Sequence, residues 1–412
     1  MAKSAVLWYS MSMDLAKKLG KYADKHAFFY VTLDPERATG LEDILPNYMI
    51  ICPYASDLTK KLQKDGVNIV VLEENMPAKK LKETVARGTY GMLQSKFVQV
   101  LINKTCTNLT SAHIMVLKNS ELIEGLCKKQ GWRLLAPKAS VAEKFENKIS
   151  QYKLLKNILP YPKSTIITPE KFEFHEPVVL QFNRGHSGNS TFFIESQKDI
   201  NNLYKLFPKR EARVSEYIKG KTYTLNCLLL NSGDVLTGSL SEQITGLRIA
   251  TNNPHTTVGN DFTSPRTLYG AQVRGIKKIA RNSGHVMHEK GYRGLFGIDV
   301  IIEEASGKIY FIELNTHQPA SVSFEAKLHR NIGKTPLLAY FILDNLGKAK
   351  PVKKDLPPLI LPTKAKQIIY RNKTNKTLTN TEAREKYKNK GFMSRMKLIN
   401  PNEEIYRRQT IS

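Results

Sequence analysis

Gly297-Ile298-Asp299-Val300-Ile301-Ile302-Glu303-Glu304-Ala305-Ser306-Gly307-Lys308-Ile309-Tyr310-Phe311-Ile312-Glu313-Leu314-Asn315-Thr316-His317 is the stretch from which the rest of the chain is read. Residues 298–302 and 309–314 are apolar runs of strand length. The polar residues 303–308 between them have turn composition, so the stretch predicts a β-hairpin. Each run carries one acid among apolar neighbours: Asp299 in the first, Glu313 in the second. Asn315 stands two residues after Glu313, so side-chain alternation puts both on one face of their strand. A hairpin can bring Asp299 opposite that pair. Two carboxylates and an amide on one face make an oxygen donor set suited to a hard cation such as Mg²⁺, with Mn²⁺ a workable substitute. The competing reading is an ordinary solvated strand face. Against it, two acids buried together without a cation repel and raise each other's pKa.

The same residues resemble a known family. Gly-x-Asp, a short turn and then Tyr310-Phe311-Ile312-Glu313-Leu314-Asn315 is similar to the metal-binding hairpin of the ATP-grasp superfamily, which includes carboxylate–amine ligases, biotin carboxylase and D-alanine–D-alanine ligase. The resemblance implies that Asp299, Glu313 and Asn315 hold Mg²⁺ against the phosphates of ATP. Three further motifs follow in the family's order. Glu146-Asn147-Lys148, a helix and Leu159-Pro160-Tyr161-Pro162 resemble the entry in which a lysine reaches an ATP phosphate. Lys148 is the implied lysine, Lys144 the fallback, and Asn147 stands where the family has Asp. A strand at residues 178–182, the loop from Asn183 to Thr191 and a strand at 192–194 resemble the phosphate loop. That assigns Arg184, Gly185, Ser187 and Gly188 to the phosphates. Gln181 departs from the pattern, because the family has a second lysine there, and an amide cannot neutralise a phosphate. Arg213-Val214-Ser215-Glu216-Tyr217-Ile218-Lys219-Gly220 resembles the adenine-binding connection, implying Glu216, Tyr217 and Ile218 as nucleotide contacts. Gly220-Lys221-Thr222 imitates the end of a P-loop, but Ser215 replaces the required glycine and the segment reads as strand.

With 412 residues, the chain is long enough for two or three domains with sizeable cores. Hydrophobic residues are 41% and charged residues 24%, as in ordinary globular proteins. No run reaches the roughly 20 apolar residues that span a bilayer, so membrane insertion is not expected. The first residues are too briefly apolar for a secretory signal. Four scattered cysteines without a CxxC pair suit a reducing cytoplasm. The formal charge of +26 favours anionic partners. Residues 347–412 hold 17 Lys or Arg against 5 Asp or Glu, a surplus of 12. Either the whole proteome is lysine-rich, or this tail touches nucleic acid or another polyanion.

In chain order, residues 1–136 alternate short apolar runs (5–9, 27–31, 49–52, 67–72, 113–117, 132–135) with amphipathic stretches. That alternation predicts a Rossmann-like α/β domain with a parallel sheet. No GxGxxG follows the first run, which argues against a dinucleotide site. Ser10-Met11-Ser12 and Lys118-Asn119-Ser120 fall where such sheets bind ligands, or cap helices. Residues 137–350 are expected to form a two-lobed ATP-grasp domain. Within it, 139–157 reads as one helix, 239–265 as a long polar loop, 268–290 as a helix and 335–346 as an apolar helix. Residues 347–362 read as a linker. Residues 366–371 and 392–404 suggest a small β-rich C-terminal module, so 351–412 is treated as a third unit.

The resemblance implies an ATP- and Mg²⁺-dependent ligase that converts a carboxylate to an acyl phosphate for attack by an amine or another nucleophile. Arg293, Arg248 and His317 are the candidates for stabilising the acceptor's negative charge. His317 stands where the family has Arg, and can act only when protonated or as a hydrogen-bond donor. Small-molecule carboxylate and amine substrates are the expected partners, and a homodimer is compatible. Two other readings remain open: a catalytically degenerate ATP-grasp scaffold, motivated by Gln181 and His317, and a polyanion-binding protein acting through its tail.

Overall fold

The computed structural model describes residues 15, 17–106, 112–183, 191–387 and 398–412. The expected strand at 5–9, Ser10-Met11-Ser12, the four phosphate-loop residues Arg184, Gly185, Ser187 and Gly188, and residues 392–397 of the expected 392–404 segment lie outside them.

The fold is mixed α/β. Strands β1 (Ala27–Val31), β2 (Tyr48–Cys52), β3 (Ile69–Val71), β4 (Ala112–Val116) and β5 (Arg133–Leu135) form a parallel sheet in the order β3-β2-β1-β4-β5. β1, β2 and β4 are buried throughout, as apolar runs covered on both faces must be. Phe28 and Tyr30 enter one core, Phe29 and Val31 the opposite one. The apolar helix Leu337–Asn345, buried from Leu337 to Leu343, packs into the first of these cores. It thereby joins the end of the central region to the N-terminal sheet.

Strands β6 (Ser164–Ile167), β7 (Val178–Phe182), β8 (Thr191–Ile194) and β9 (Ala212–Glu216) make an antiparallel sheet in the order β6-β9-β7-β8. Val178, Leu180, Phe182, Ala212 and Val214 share one core beneath the helix Gln197–Leu206. Period-two alternation therefore turns Gln181 and Arg213 to the opposite face.

Strands β10 (Gly220–Leu229), β11 (Val235–Thr245), β12 (Thr257–Asp261), β13 (Gly294–Glu303), β14 (Ile309–Asn315) and β15 (Ala365–Arg371) belong to a larger antiparallel sheet. The short pair β16 (Leu378–Thr379) and β17 (Leu398–Ile399) stands apart, and β18 (Glu404–Ile411) closes the larger sheet. Its order is β14-β13-β10-β11-β12-β15-β18. The helix Gly270–Glu289 covers its β10–β13–β14 region through Ile276, Ile279 and Ala280.

Three expectations are corrected. The single helix over 139–157 is two, Ala139–Glu146 and Lys148–Leu155, broken at Asn147, whose backbone is extended (φ −76°, ψ 114°). The polar loop over 239–265 is largely the β11–β12 hairpin. Its buried Ser241 and Asn260 satisfy one another by a 3.0 Å hydrogen bond, so the strands need no apolar pattern. The segment read as a linker is packed: Leu361 is fully buried, and Leu240 N–H donates to Leu359 O at 2.8 Å. The C-terminal strands β15 and β18 continue the large sheet beyond β12.

Candidate active site

The β13–β14 hairpin forms with the expected polar pairing. Asp299 lies directly opposite Glu313, and Gly297 opposite Asn315. The register slips between Asp299 and Val300, leaving Ile312 as an extra residue on β14. That bulge explains why Phe311 and Leu314, of opposite parity, both enter the core under the helix Gly270–Glu289. It also directs Glu313 and Asn315 outward. Buried Gln151 clasps the bulge: its Nε2 donates to Leu314 O at 3.2 Å, and Leu314 N donates to its Oε1 at 3.1 Å.

Asp299 is buried. It accepts from Thr224 Oγ1 at 2.7 Å and from Asn315 Nδ2 at 3.1 Å. Thr224 is its cross-strand partner on β10. Burial, reinforced by the charge of Glu313, pushes the Asp299 carboxyl up to about 6, while Thr224, Asn315 and Lys148 oppose the shift. Lys148 Nζ donates to Glu313 Oε2. The helix break at Asn147 makes this contact, because it begins a second helix at Lys148. Asn183 caps that helix from a distant strand end: its O accepts from Lys148 N at 3.3 Å and its Oδ1 from Ile149 N at 3.1 Å.

Among the described residues, no three His, Cys, Asp or Glu side chains group as a metal site. The donor set here is two carboxylates and an amide. That matches Mg²⁺, which keeps few protein ligands and fills its octahedron with phosphate oxygens and water.

The nucleotide candidates are placed as follows. Gln181 is opposite both Thr191 and Arg213. It donates to Thr191 Oγ1 at 3.2 Å and accepts from Arg213 Nη2. Glu216 accepts the Lys163 backbone N–H at 2.9 Å. Tyr217 is exposed, its ring meeting the edge of Phe193 at 6.2 Å, and Phe193 stacks on His255 at 3.6 Å. Ile218 is buried.

Beside the hairpin, at the C-terminal end of β4, opens a cleft of ≈ 440 Å³ lined by Lys118, Asn119, Glu146, Asn183, Thr316 and His317 among others. Glu146 organises it. Its Oε2 accepts from Thr316 N at 2.9 Å and Thr316 Oγ1 at 2.8 Å, and lies 3.3 Å from His317 Nδ1. Lys118 Nζ is 3.5 Å from its other oxygen. Burial pushes this carboxyl up, but His317, Lys118 and the Thr316 N–H outweigh it and hold it well below the usual range.

His317 thus reaches the cleft. Arg293 instead donates to the carbonyls of His288, at 3.1 Å, and Tyr292, at the end of the helix Gly270–Glu289. Arg248 is exposed, and its carbonyl accepts from Lys373. Sequence reading missed Glu146, Gln151, Thr224 and Arg213. Of these, Arg213 carried a usable signal: it alternates with Ala212 and Val214, which marks it as facing away from the core.

Residues 145–320 are matched by the family model of the ATP-grasp domain, so this part of the chain is an ATP-grasp domain. Solved structures share the fold over nearly the whole chain. N5-carboxyaminoimidazole ribonucleotide synthetase from Thermotoga maritima is 15% identical, with 94% of each chain covered and a TM-score of 0.57. Biotin carboxylase from Campylobacter jejuni, solved as a β,γ-ATP complex, is 12% identical, covering 94% of this chain and 87% of that one, with a TM-score of 0.61. N5-carboxyaminoimidazole synthase from Aspergillus clavatus, solved with ADP and 5-aminoimidazole ribonucleotide, is 12% identical, with 94% of each chain covered and a TM-score of 0.60. No curated protein sequence matches the chain.

Proposed function

We propose that this protein is an ATP- and Mg²⁺-dependent ligase that activates a carboxylate as an acyl phosphate for attack by an amine or another nucleophile. The observation that carries the reading is the convergence of Asp299, Glu313, Asn315 and Lys148 on one face of the hairpin, next to a cleft lined by Lys118, Glu146 and His317. The ATP-grasp match and the nucleotide-bound neighbours support it.

Asp299, Glu313 and Asn315 would hold the divalent ion, which when bound neutralises phosphate charge. Lys148, released from Glu313, would turn to a phosphate oxygen, and Glu216, Tyr217 and Ile218 would border the adenine. In the cleft, Lys118 and His317 would orient the acceptor carboxylate, with Glu146 fixing both. A carboxylate oxygen attacks the γ-phosphorus and ADP leaves. The nucleophile then attacks the acyl carbon and phosphate leaves. The chain's work is positioning and charge complementarity. In this reading residues 1–136 supply one cleft wall, 137–350 the nucleotide site and 351–412 an extension of its sheet. Four buried, unbridged cysteines suit a reducing cytoplasm.

The test is phosphate release from ATP across a panel of carboxylates and amines. Release that requires Mg²⁺ and one carboxylate is expected. Glu313→Gln should lose Mg-ATP binding and turnover, and unchanged values would remove the assignment. The second reading, a nucleotide-binding protein without turnover, rests on the neutral Gln181 amide, and predicts ADP binding with no phosphate release under any panel member.

A further inference from the structure

The nucleotide reading leaves a charge deficit. One face of the four-stranded sheet looks toward β14, and its central position at Gln181 is neutral. The neighbouring position on β9 is not. Arg213 pairs with Gln181 across the strands, and its Nη2 donates both to Gln181 Oε1 and, at 3.1 Å, to Ile312 O. The Ile312 carbonyl belongs to the bulge residue immediately before Glu313. The guanidinium therefore sits against the strand that carries the proposed cation ligands, and Glu313 acts on it electrostatically.

Its remaining donors meet no acceptor in full hydrogen-bond geometry among the described residues. Arg213 is 2% exposed, yet Nε and Nη1 have no hydrogen-bond acceptor among the described residues. The ring of Tyr161 lies 5.1 Å beneath the guanidinium, and its hydroxyl interacts with Arg213 electrostatically without reaching full hydrogen-bond geometry among the described residues. Burying a permanently charged fork with open donors is costly, and native proteins keep such groups where an acceptor arrives. The fork geometry suits a planar pair of phosphate oxygens.

We propose that Arg213 supplies the positive charge absent at Gln181, engaging a phosphate oxygen of the bound nucleotide. This rests on the ATP-dependent reading above. The charge has moved one strand sideways within the same sheet face. Gln181 then positions the guanidinium, since its carbonyl oxygen holds one edge of the fork while its amide is fixed by Thr191.

The experiment compares calorimetric binding of ADP and of adenosine, both without metal, in wild type, Arg213→Gln, Arg213→Lys and the transposed double variant Gln181→Lys with Arg213→Gln. Arg213→Gln should weaken ADP by at least about tenfold and leave adenosine within about twofold, while the transposed variant recovers most of the ADP affinity. A purely structural staple between β9 and β14 would instead weaken both ligands equally, with no recovery on transposition, and that result overturns the inference. Equal ADP affinity in wild type, Arg213→Gln and Arg213→Lys overturns it too, while leaving the nucleotide reading intact. Wild-type protein that binds neither ADP nor Mg-ATP overturns the nucleotide reading, and this inference with it.

Discussion

Lys148 and Glu313, 165 residues apart in sequence, are ion-paired at the mouth of the hairpin, with Asp299 directly across the strand from Glu313. The ammonium thus takes the place of a counter-charge for two acids that otherwise repel.

Lys148→Met should leave Asp299 and Glu313 without that counter-charge and remove the proposed phosphate ligand. Mg-ATP affinity is expected to fall by at least about tenfold. Because the two residues act on one another, Lys148→Met combined with Glu313→Gln should cost less than the sum of the single changes. The expected coupling is about 1 kcal/mol or more in a double-mutant cycle. Additive losses, measured by calorimetry, would show that the pair does no such balancing.

Gln151 is fully buried and holds Leu314 by both backbone groups. Gln151→Leu keeps volume but orphans a buried N–H and carbonyl, so a loss of about 1–3 kcal/mol is expected by urea unfolding. The bulge should loosen with it, and Mg-ATP affinity should fall in parallel. An unchanged unfolding midpoint would mean that the clasp contributes nothing.

Glu146 joins Lys118, Thr316 and His317 at the cleft and, among the described residues, makes no side-chain hydrogen bond or ion pair to a proposed nucleotide ligand. Glu146→Gln should raise KM for the carboxylate about tenfold or more, and leave ADP affinity within about twofold. Matching losses in both would assign Glu146 a general structural role instead.

Glu325 and His329 lie one turn apart on the helix Val322–Asn331, essentially without exposure. Burial pushes the Glu325 carboxyl up to about 8 against hydrogen bonds from Asn226 and the Ser239 N–H; burial pulls the His329 imidazole down to about 3. The raised acid holds a proton in the fold that the unfolded chain releases above about 4.5. Its contribution is complete below that pH and is lost as pH rises through 8. The depressed histidine acts oppositely: stability is lost as pH falls from 6.5 toward 3. The two slopes cancel between about pH 4.5 and 6.5. From pH 6.5 to 8 only Glu325 acts, and stability should fall by about 1–2 kcal/mol as pH rises. Urea midpoints across that interval check this, and Glu325→Gln should flatten the trend. A wild-type midpoint that rises with pH would contradict it.

The hairpin was legible because two apolar runs, a turn and three polar residues of fixed parity say the same thing locally. The bulge at Ile312 was not, since nothing local marks it and the side chain that holds the adjoining Leu314 backbone, Gln151, is distant in sequence. The single helix over 139–157 was misread for a related reason. Its break depends on Asn183 capping Lys148 and Ile149 from another strand, and helical composition around Asn147 hides it. The β11–β12 hairpin was read as a loop because Ser239, Ser241 and Asn260 are buried polar residues satisfied by partners across the fold. Arg213 stands in the stretch that resembles the adenine-binding connection, and its alternation with the core residues Ala212 and Val214 already places it on the opposite sheet face.

Arg407, buried on β18 with its side chain 2% exposed, lies 3.2 Å from Asp34 and 3.8 Å from Glu36 near the chain's beginning, and also pairs with Glu404. The terminal strand is therefore a rivet, anchored at one end of the polypeptide and fastened to the other. Cutting away residues 351–412 to ask whether the basic tail grips polyanions would strip β12 of its neighbour and strand two carboxylates, so lost binding would report collapse. Neutralising outward-facing lysines such as Lys364 and Lys376, with the rivet intact, puts the question to the surface alone.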